Sequence, residues 1–196
     1  MTIARKVSIL KIVKYRTIMV INVRVIAERE EKEMAKKANK TNAMRFLDQK
    51  KIDYEVREYP EDGPIAAVDV ANYLNQPKDR IFKTLVTTDN HNDYFVFCLP
   101  GDHELDLKKA AKAAGVKKIE MLKQKDLLPL TGYVHGGCSP IGMKKVFPTF
   151  VDESANNWET IYVSGGKIGL QIEIHPKDLE KLLRVTFTGV TKEDVE

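Results

Sequence analysis

Residues 81–86 read Ile81-Phe82-Lys83-Thr84-Leu85-Val86, an apolar run with one lysine in its middle. Such a run predicts a β-strand, and because side chains alternate along a strand, Lys83 shares a face with Ile81 and Leu85. That face is expected to cover a core or line a pocket, where an ammonium group needs an anionic or carbonyl-rich partner. The alternative is an exposed lysine on an edge strand, where it hinders aggregation. The residues alone leave both interpretations open.

Strand and helix patterns interleave irregularly on both sides of this strand. Helical patterns are predicted after Thr41, over residues 67–74, after Asp106, over residues 125–128 and after Pro176. Further strands are predicted over residues 54–59, 94–99, 118–122, 132–134, 149–152, 159–164, 169–174 and 184–188. A Gly165-Gly166 turn is expected to join two of them in a tight hairpin. Because several strands are joined directly by turns, we predict an α/β (α+β) fold with a mixed, barrel-like β-sheet flanked by helices.

The positive charge of the chain is concentrated at its start. Residues 1–33 hold eight Lys/Arg and four Asp/Glu, out of 32 and 28 in the whole chain, so residues 34–196 are formally neutral. A neutral body argues against a protein that coats nucleic acid by bulk electrostatics. A local basic stripe remains a candidate, formed by Lys108, Lys109, Lys112, Lys117, Lys118, Lys144 and Lys145. The alternative is an ordinary solvated surface.

The chain is predicted to have one domain with an appendage. Residues 1–33 are interpreted as an N-terminal extension outside the core, or as upstream sequence with Met34 as the natural start, and residues 34–196 as the domain. The apolar run 17–23 is too short to span a bilayer, so no membrane association is expected. Cys98 and Cys138 lack the spacing of a disulfide framework or a zinc site, which fits a reducing cytoplasm.

The glycine-rich stretches Gly136-Gly137-Cys138-Ser139-Pro140 and Ser164-Gly165-Gly166-Lys167 are the candidate ligand-binding loops. Residues without a Cβ let backbone N–H groups approach an ester carbonyl or a phosphate closely, although plain turns would have the same composition. His135 and Cys138 suggest a thiol nucleophile with a base, but no third group that would orient the imidazole is evident. The four histidines lack metal-ligand spacing, and neither a P-loop nor a dinucleotide fingerprint is present, so no metal or cofactor is expected.

Four stretches together resemble the YbaK/EbsC family, free-standing relatives of the editing domain of bacterial prolyl-tRNA synthetase. They are Phe82 to Leu85, Glu104 to Ala110, Thr131 to Gly142 with Lys144-Lys145, and Ile161 to Lys167, in consistent order within residues 41–190. The resemblance implies a mixed, barrel-like sheet surrounded by helices. It also implies a trans-editing aminoacyl-tRNA deacylase that clears cysteine from Cys-tRNA(Pro), with alanine or serine editing and a non-catalytic binding module as alternatives.

The resemblance also implies roles for individual residues. Lys83 looks like the catalytic lysine that positions the 3′-terminal nucleotide or the aminoacyl ester. The implied substrate-binding residues are Tyr59, Thr84, Gly136, Gly137, Ser139, Pro140, Ser164 and Gly165. Cys138 occupies the variable position of its loop, and Gln171 stands where some members carry Asp. With no evident protein nucleophile, the cysteinyl thiol of the substrate would attack its own ester.

The implied partners are mischarged tRNA(Pro) and, transiently, prolyl-tRNA synthetase. The synthetase would supply the tRNA selectivity that a neutral body lacks, and DNA is not an expected partner. The lysines expected to contact tRNA are Lys108, Lys109, Lys112, Lys144 and Lys145.

Overall fold

The structure is a computed structural model that describes residues 40–62 and 66–193. The predicted extension, residues 1–33, and the alternative start at Met34 lie outside this part of the chain, so both stay predictions. All the helices and strands given below belong to one unit that begins at Thr41.

Five α-helices are found in the described residues. They are α1 (Asn42–Lys50), α2 (Ala67–Leu74), α3 (Leu107–Ala114), α4 (Gln124–Thr131) and α5 (Pro176–Leu182). Short 3-10 helices cover Lys78–Arg80 and Glu153–Asn157. None of the described helices is long and apolar enough to cross a membrane.

Side chains fix where two of these helices begin. Thr41 Oγ1 accepts a hydrogen bond from Met44 N at 3.3 Å at the start of α1. The Asp106 carboxylate accepts from the amides of Lys108 and Lys109, at 2.8 and 3.0 Å, at the start of α3. Gly115 ends α3 with φ of 71°, a backbone conformation that favours a residue without Cβ. These three positions confirm the predicted start of α1 and the predicted start and end of α3.

Eight strands of the described residues form one mixed sheet. They are β1 (Glu55–Glu58), β2 (Ile81–Asp89), β3 (Tyr94–Pro100), β4 (Ile119–Met121), β5 (Thr149–Val151), β6 (Ile161–Ser164), β7 (Leu170–Ile174) and β8 (Val185–Phe187). The order is β1-β7-β6-β2-β3-β5-β8, with β4 paired to β2. The pairs β2 with β6, β3 with β5 and β5 with β8 are parallel, and the others are antiparallel. The predicted mixed α/β fold is confirmed. In the described chain no pairing joins β1 to β8, so strand pairing does not complete a ring there.

Both faces of the sheet are covered by apolar clusters. The larger cluster includes Phe82, Val86, Val96 and Cys98 from β2 and β3, packed with residues of α1, β6, β7 and α5. The opposite face carries Phe95, Phe97 and Leu99 against α3, β4 and Phe150. β3 is therefore apolar on both faces and central in the sheet, as its sequence predicts.

One local prediction is wrong, and another is right except for the length of a loop. Residues 132–134 form no strand, because α4 ends at Thr131, Gly132 takes φ of 85°, and Tyr133 N donates locally to Thr131 Oγ1 at 3.0 Å. The amide that a sheet would need is thus already bonded. The hairpin predicted at Gly165-Gly166 is present, since β6 and β7 pair in antiparallel fashion, but residues 165–169 make its loop longer than a tight turn.

Candidate functional site

A cleft of about 390 Å³ opens beside a gap in the pairing of β2. β3 pairs with β2 from Phe82 to Thr88 along one edge. On the other edge, β6 pairs with Ile81 and Phe82, and β4 pairs with residues 87–89. Among the strands that the structure describes, none covers this second edge over residues 83–85. Five successive residues of β2, from Ile81 to Leu85, line the cleft for this reason.

Thr84 presents its backbone to the gap. Gly101 N donates to Ile81 O at 2.8 Å on the β3 side, and Leu122 N donates to Val86 O at 3.0 Å on the β4 side. In an antiparallel pair, alternate residues direct both their N–H and their C=O toward the same neighbour. The N–H and C=O of Thr84 therefore point away from β3 and into the gap. The Thr84 hydroxyl lies 3.8 Å from Cys98 Sγ, so the backbone rather than the side chain is the part available to a ligand.

Lys83 is half-buried in the wall of the cleft. Its Nζ donates to Gly101 O at 3.0 Å, which is the carbonyl partner that an ammonium in this position requires. Burial lowers the pKa of Lys83, and the carboxylates of Glu104 and Asp102 partly offset that effect. Since Gly136 and Ser164 line the same cleft, the pocket interpretation of Lys83 is favoured over an exposed edge-strand lysine.

A row of polar side chains crosses the sheet beside Lys83. The register of β2 with β6 brings Lys83 next to Ser164, and Ser164 is paired with Gln171 on β7. All three residues line the cleft. Ser164 Oγ accepts from Gly166 N at 3.3 Å, so the hydroxyl proton of Ser164 is available to donate to a bound group.

The two glycine-rich loops pack against each other. A Cβ on Gly137 would lie 2.9 Å from Lys167 Cα and 3.0 Å from Ile168 N, which real Cβ atoms essentially never do. The close approach of the two backbones therefore depends on glycine at position 137. Thr41 Oγ1 donates a hydrogen bond to the carbonyl oxygen of Gly165 at 2.5 Å, which fixes the position of Gly165.

Ser139 and Pro140 are buried and stabilise their loop from within. Ser139 Oγ accepts from Ile141 N at 3.2 Å, a contact within the loop. Tyr133, whose hydroxyl donates to Ile141 O at 2.7 Å, holds the same segment from the other side. Neither Ser139 nor Pro140 lines the cleft.

The structure brings together part of the residue set that the sequence predicts. Lys83, Tyr59, Thr84, Gly136 and Ser164 line the cleft, whereas Gly137, Ser139, Pro140 and Gly165 do not. The cleft is also lined by residues outside that set: Ala66, Ala67, Val70, Ile81, Phe82, Leu85, Gly101, Leu127, His135, Cys138 and Gln171. Of these, Gln171 could have been noticed from the sequence, because it stands where some family members carry Asp.

The Cys138 thiol is a poor candidate for a nucleophile. Burial raises the pKa of Cys138 to about 12, and a hydrogen bond with Thr131 only partly opposes the shift. The sulfur is therefore protonated at neutral pH, whereas the thiolate is the reactive form. Within residues 40–62 and 66–193, no group of three or more His, Cys, Asp or Glu residues is placed to hold a metal ion.

The lysines predicted to bind tRNA fall into two groups, neither of which lines the cleft. Lys108, Lys109 and Lys112 lie on α3, where Lys109 Nζ donates to Thr191 O at 3.1 Å and to Glu193 at 3.2 Å. Lys144 and Lys145 are exposed beside α4, and Lys144 Nζ donates to the carbonyl oxygen of Pro129 at 3.3 Å. Because Leu127 of α4 lines the cleft, the second group is the one joined to the cleft wall.

Comparisons with known proteins all indicate the same family. The model of the aminoacyl-tRNA editing domain matches residues 65–182. A protein of Enterococcus faecalis, EbsC, named as a candidate Cys-tRNA(Pro)/Cys-tRNA(Cys) deacylase, is 49% identical over 164 residues, which are 82% of this chain and 100% of that protein. The proline–tRNA ligase of Dechloromonas aromatica is 27% identical over 112 residues, covering 55% of this chain and 19% of the ligase.

A solved structure has the same fold. It is described as a candidate trans-editing enzyme for prolyl-tRNA synthetase, and it matches with a TM-score of 0.66 and 24% identity over 71% of this chain and 87% of its own. The predictions of the fold class and of an aminoacyl-tRNA editing enzyme are confirmed. Since the family model covers more than half of the residues, the chain belongs to the aminoacyl-tRNA editing domain family, the YbaK/EbsC family that its sequence resembles.

Proposed function

We propose that this protein is a trans-editing deacylase that removes cysteine from mischarged Cys-tRNA(Pro). The observation that carries the proposal is the meeting of Lys83, Gly136 and Ser164 in one cleft. An ester carbonyl bound there would face hydrogen-bond donors of three kinds: the Lys83 ammonium, the Thr84 backbone N–H and the Ser164 hydroxyl. The name of the Enterococcus relative, which gives Cys-tRNA(Pro) and Cys-tRNA(Cys), supports a cysteinyl substrate.

The proposed reaction uses the thiol of the substrate as the nucleophile. The cysteinyl sulfur loses its proton to water and attacks the ester carbonyl carbon, which forms a C–S bond and a tetrahedral oxyanion. The bond from that carbon to the ribose oxygen then breaks, and the ribose oxygen takes a proton from water. The products are the free tRNA and a cyclic thiolactone of cysteine. The protein contributes positioning and stabilisation of the oxyanion, each of which can lower a barrier by several kcal/mol.

The protonated state of Cys138 is consistent with this division of labour. A thiol with a pKa of about 12 does not compete with the substrate thiol for the ester carbon at neutral pH. Burial lowers the pKa of Lys83, and the carboxylates of Glu104 and Asp102 oppose that shift. The ammonium also donates to the carbonyl oxygen of Gly101, which holds it in place.

The partners and location of the reaction belong to the same proposal. Charged tRNA is the substrate, and prolyl-tRNA synthetase binds transiently to supply tRNA selectivity in the cytoplasm. Five lysines would contact the phosphate backbone of the tRNA: Lys108, Lys109, Lys112, Lys144 and Lys145. The proline–tRNA ligase relatives, which contain a homologous segment, motivate the choice of synthetase.

The test is a set of deacylation time courses on tRNA(Pro) charged with Cys, Ala, Ser or Pro, with and without prolyl-tRNA synthetase. We expect the cysteinyl ester to be cleaved at least about tenfold faster than the others, and S-methylcysteinyl-tRNA(Pro) to be resistant because its sulfur cannot attack. Comparable cleavage of the alanyl or seryl ester would replace the proposal with editing of that residue. Binding of charged tRNA without release of any amino acid would replace it with a non-catalytic module.

A further inference from the structure

Gln171 holds a buried oxygen that has no partner. Gln171 lies on β7, and only 6% of its surface is exposed. In the part of the chain that the structure describes, its Oε1 is the only buried side-chain oxygen or nitrogen without a hydrogen-bond partner. Buried polar groups in folded proteins are almost always bonded, and an orphaned one costs stability. Because Gln171 lines the cleft, a turn of its side-chain amide toward the cleft would let a donor on a bound ligand satisfy this oxygen.

The location of Gln171 identifies where that donor arrives. Gln171 lines the cleft, and it is paired across the β6–β7 ladder with Ser164, which in turn lies beside Lys83. Neighbouring strands lie about 4.8 Å apart, so the Cα atoms of Gln171 and Lys83 are separated by about 10 Å. An aminoacyl ester bound between these two side chains would touch both.

The chemistry of the wall determines which part of the substrate faces Gln171. Lys83, Ser164 and the Thr84 N–H are donors, and they suit the ester carbonyl oxygen. The α-ammonium group of an aminoacyl ester has only donors and needs an acceptor on the opposite side. The Gln171 carbonyl is such an acceptor. Since it is neutral, it can accept a hydrogen bond from the ammonium without forming an ion pair with Lys83.

We propose that Gln171 Oε1 accepts a hydrogen bond from the α-ammonium group of the aminoacyl ester and thereby turns the ester carbonyl toward Lys83. Gln171 is then a positioning residue that binds the α-ammonium group of the substrate. This inference rests on the proposed function only in taking an aminoacyl ester as the ligand. It does not depend on which amino acid is edited.

The test compares Gln171→Met, which keeps the length of the side chain and removes the acceptor, with the unmodified protein on two substrates. One is Cys-tRNA(Pro), and the other is the same tRNA carrying 3-mercaptopropionate, in which a hydrogen replaces the α-ammonium. For the cysteinyl ester we expect Gln171→Met to raise KM at least about tenfold, because a hydrogen bond to a charged group is lost. For the mercaptopropionyl ester, which has no α-donor, we expect less than a twofold change.

Two further measurements separate positioning from a structural role. Thermal unfolding of Gln171→Met is expected at the same temperature as the unmodified protein or higher, because the substitution removes an orphaned buried polar atom. Gln49→Met, at an exposed glutamine of α1 that does not line the cleft, is the matched control and should change neither KM nor the unfolding temperature. A large drop in unfolding temperature together with equal losses on both esters would assign Gln171 a structural role and overturn the inference.

The remaining outcomes are also decisive. If the loss in Gln171→Met is equal on both esters but disappears with 2′-deoxy tRNA ends, the ribose hydroxyl is the donor and the inference is wrong. Absence of turnover in the unmodified protein would refute the proposed function but not this inference. In that case, calorimetric binding of a cysteinyl adenosine joined by a stable 3′-amide is compared with the analogue that carries a hydrogen in place of the α-ammonium. Gln171→Met should weaken only the former, and equal weakening of both would overturn the inference.

Discussion

Replacing Lys83 by methionine removes the ammonium and keeps most of the apolar stem. The Nζ atom is anchored 3.0 Å from Gly101 O, so its place in the cleft is fixed before a substrate binds. Loss of a single pre-positioned donor to an oxyanion typically costs about 2.7–4 kcal/mol of transition-state stabilisation. Since about 1.36 kcal/mol corresponds to a factor of ten in rate, kcat/KM for Cys-tRNA(Pro) should fall by about a hundredfold to a thousandfold.

The stability of Lys83→Met should move in the opposite direction. Burial lowers the pKa of Lys83, so the folded protein holds this proton less tightly than the unfolded chain does. The charged ammonium therefore opposes folding at neutral pH, and that penalty fades as the pH rises past the lowered pKa toward the ordinary value. We expect the unfolding temperature of Lys83→Met at pH 7 to equal or exceed that of the unmodified protein.

Single-turnover deacylation and thermal unfolding measured on the same preparations check both statements. Lys177→Met is the control, because this exposed lysine of α5 does not line the cleft. A decrease in kcat/KM of less than about threefold in Lys83→Met would refute the catalytic placement of the ammonium. A parallel loss of activity and unfolding temperature would instead show that Lys83 acts through the fold.

Three other substitutions test separate parts of the site. Cys138→Ala should retain most activity, and Cys138 should react with iodoacetamide at pH 8 far more slowly than free cysteine, because burial raises its pKa to about 12; complete loss of turnover would restore the thiol nucleophile. Gly137→Ala should abolish deacylation and lower the unfolding temperature, because the added Cβ would meet the Lys167 backbone at 2.9 Å; normal activity would show that the loops separate without consequence. The double variant Lys144→Gln/Lys145→Gln should raise KM for charged tRNA and reduce the slope of log affinity against log salt by about one to two. The double variant Lys108→Gln/Lys112→Gln should have a smaller effect on both quantities. The reverse ranking would place the tRNA contact on α3.

Local sequence signals predicted much of the fold. Thr41 and Asp106 begin helices because their short side-chain oxygens accept backbone N–H bonds, and Gly115 ends one because it adopts positive φ. Lys83 was recognisable because a cation in an apolar strand violates the alternation expected of a core-facing run. Such features depend on neighbours in sequence, so the sequence alone is sufficient to detect them.

The cleft itself could not be predicted from local pattern. The gap opposite residues 83–85 arises because β6 and β4, far apart in sequence, share one edge of β2. That arrangement directs the backbone N–H and C=O of Thr84 into the gap. The residues 132–134 were mistaken for a strand because the bond from Tyr133 N to Thr131 Oγ1 is a side-chain effect that apolar periodicity does not reveal.

An unpaired stretch of strand edge usually invites aggregation, and a continuous sheet would have been the more stable solution. Here β3 pairs with all three residues along the other edge, so the backbone N–H and C=O of Thr84, which face the gap, are held rigid without a strand partner in the described chain. Rigid, unoccupied donors are what stabilisation of a developing oxyanion requires, because they need no reorganisation during the reaction. The Gln171 oxygen is likewise unsatisfied, but it is a hydrogen-bond acceptor rather than a donor. The proposed reaction, in which the substrate brings its own nucleophile, needs no reactive side chain, but it does need unsatisfied polar groups in fixed positions. Among the described strands, the gap in β2 leaves the backbone groups of Thr84 in that condition.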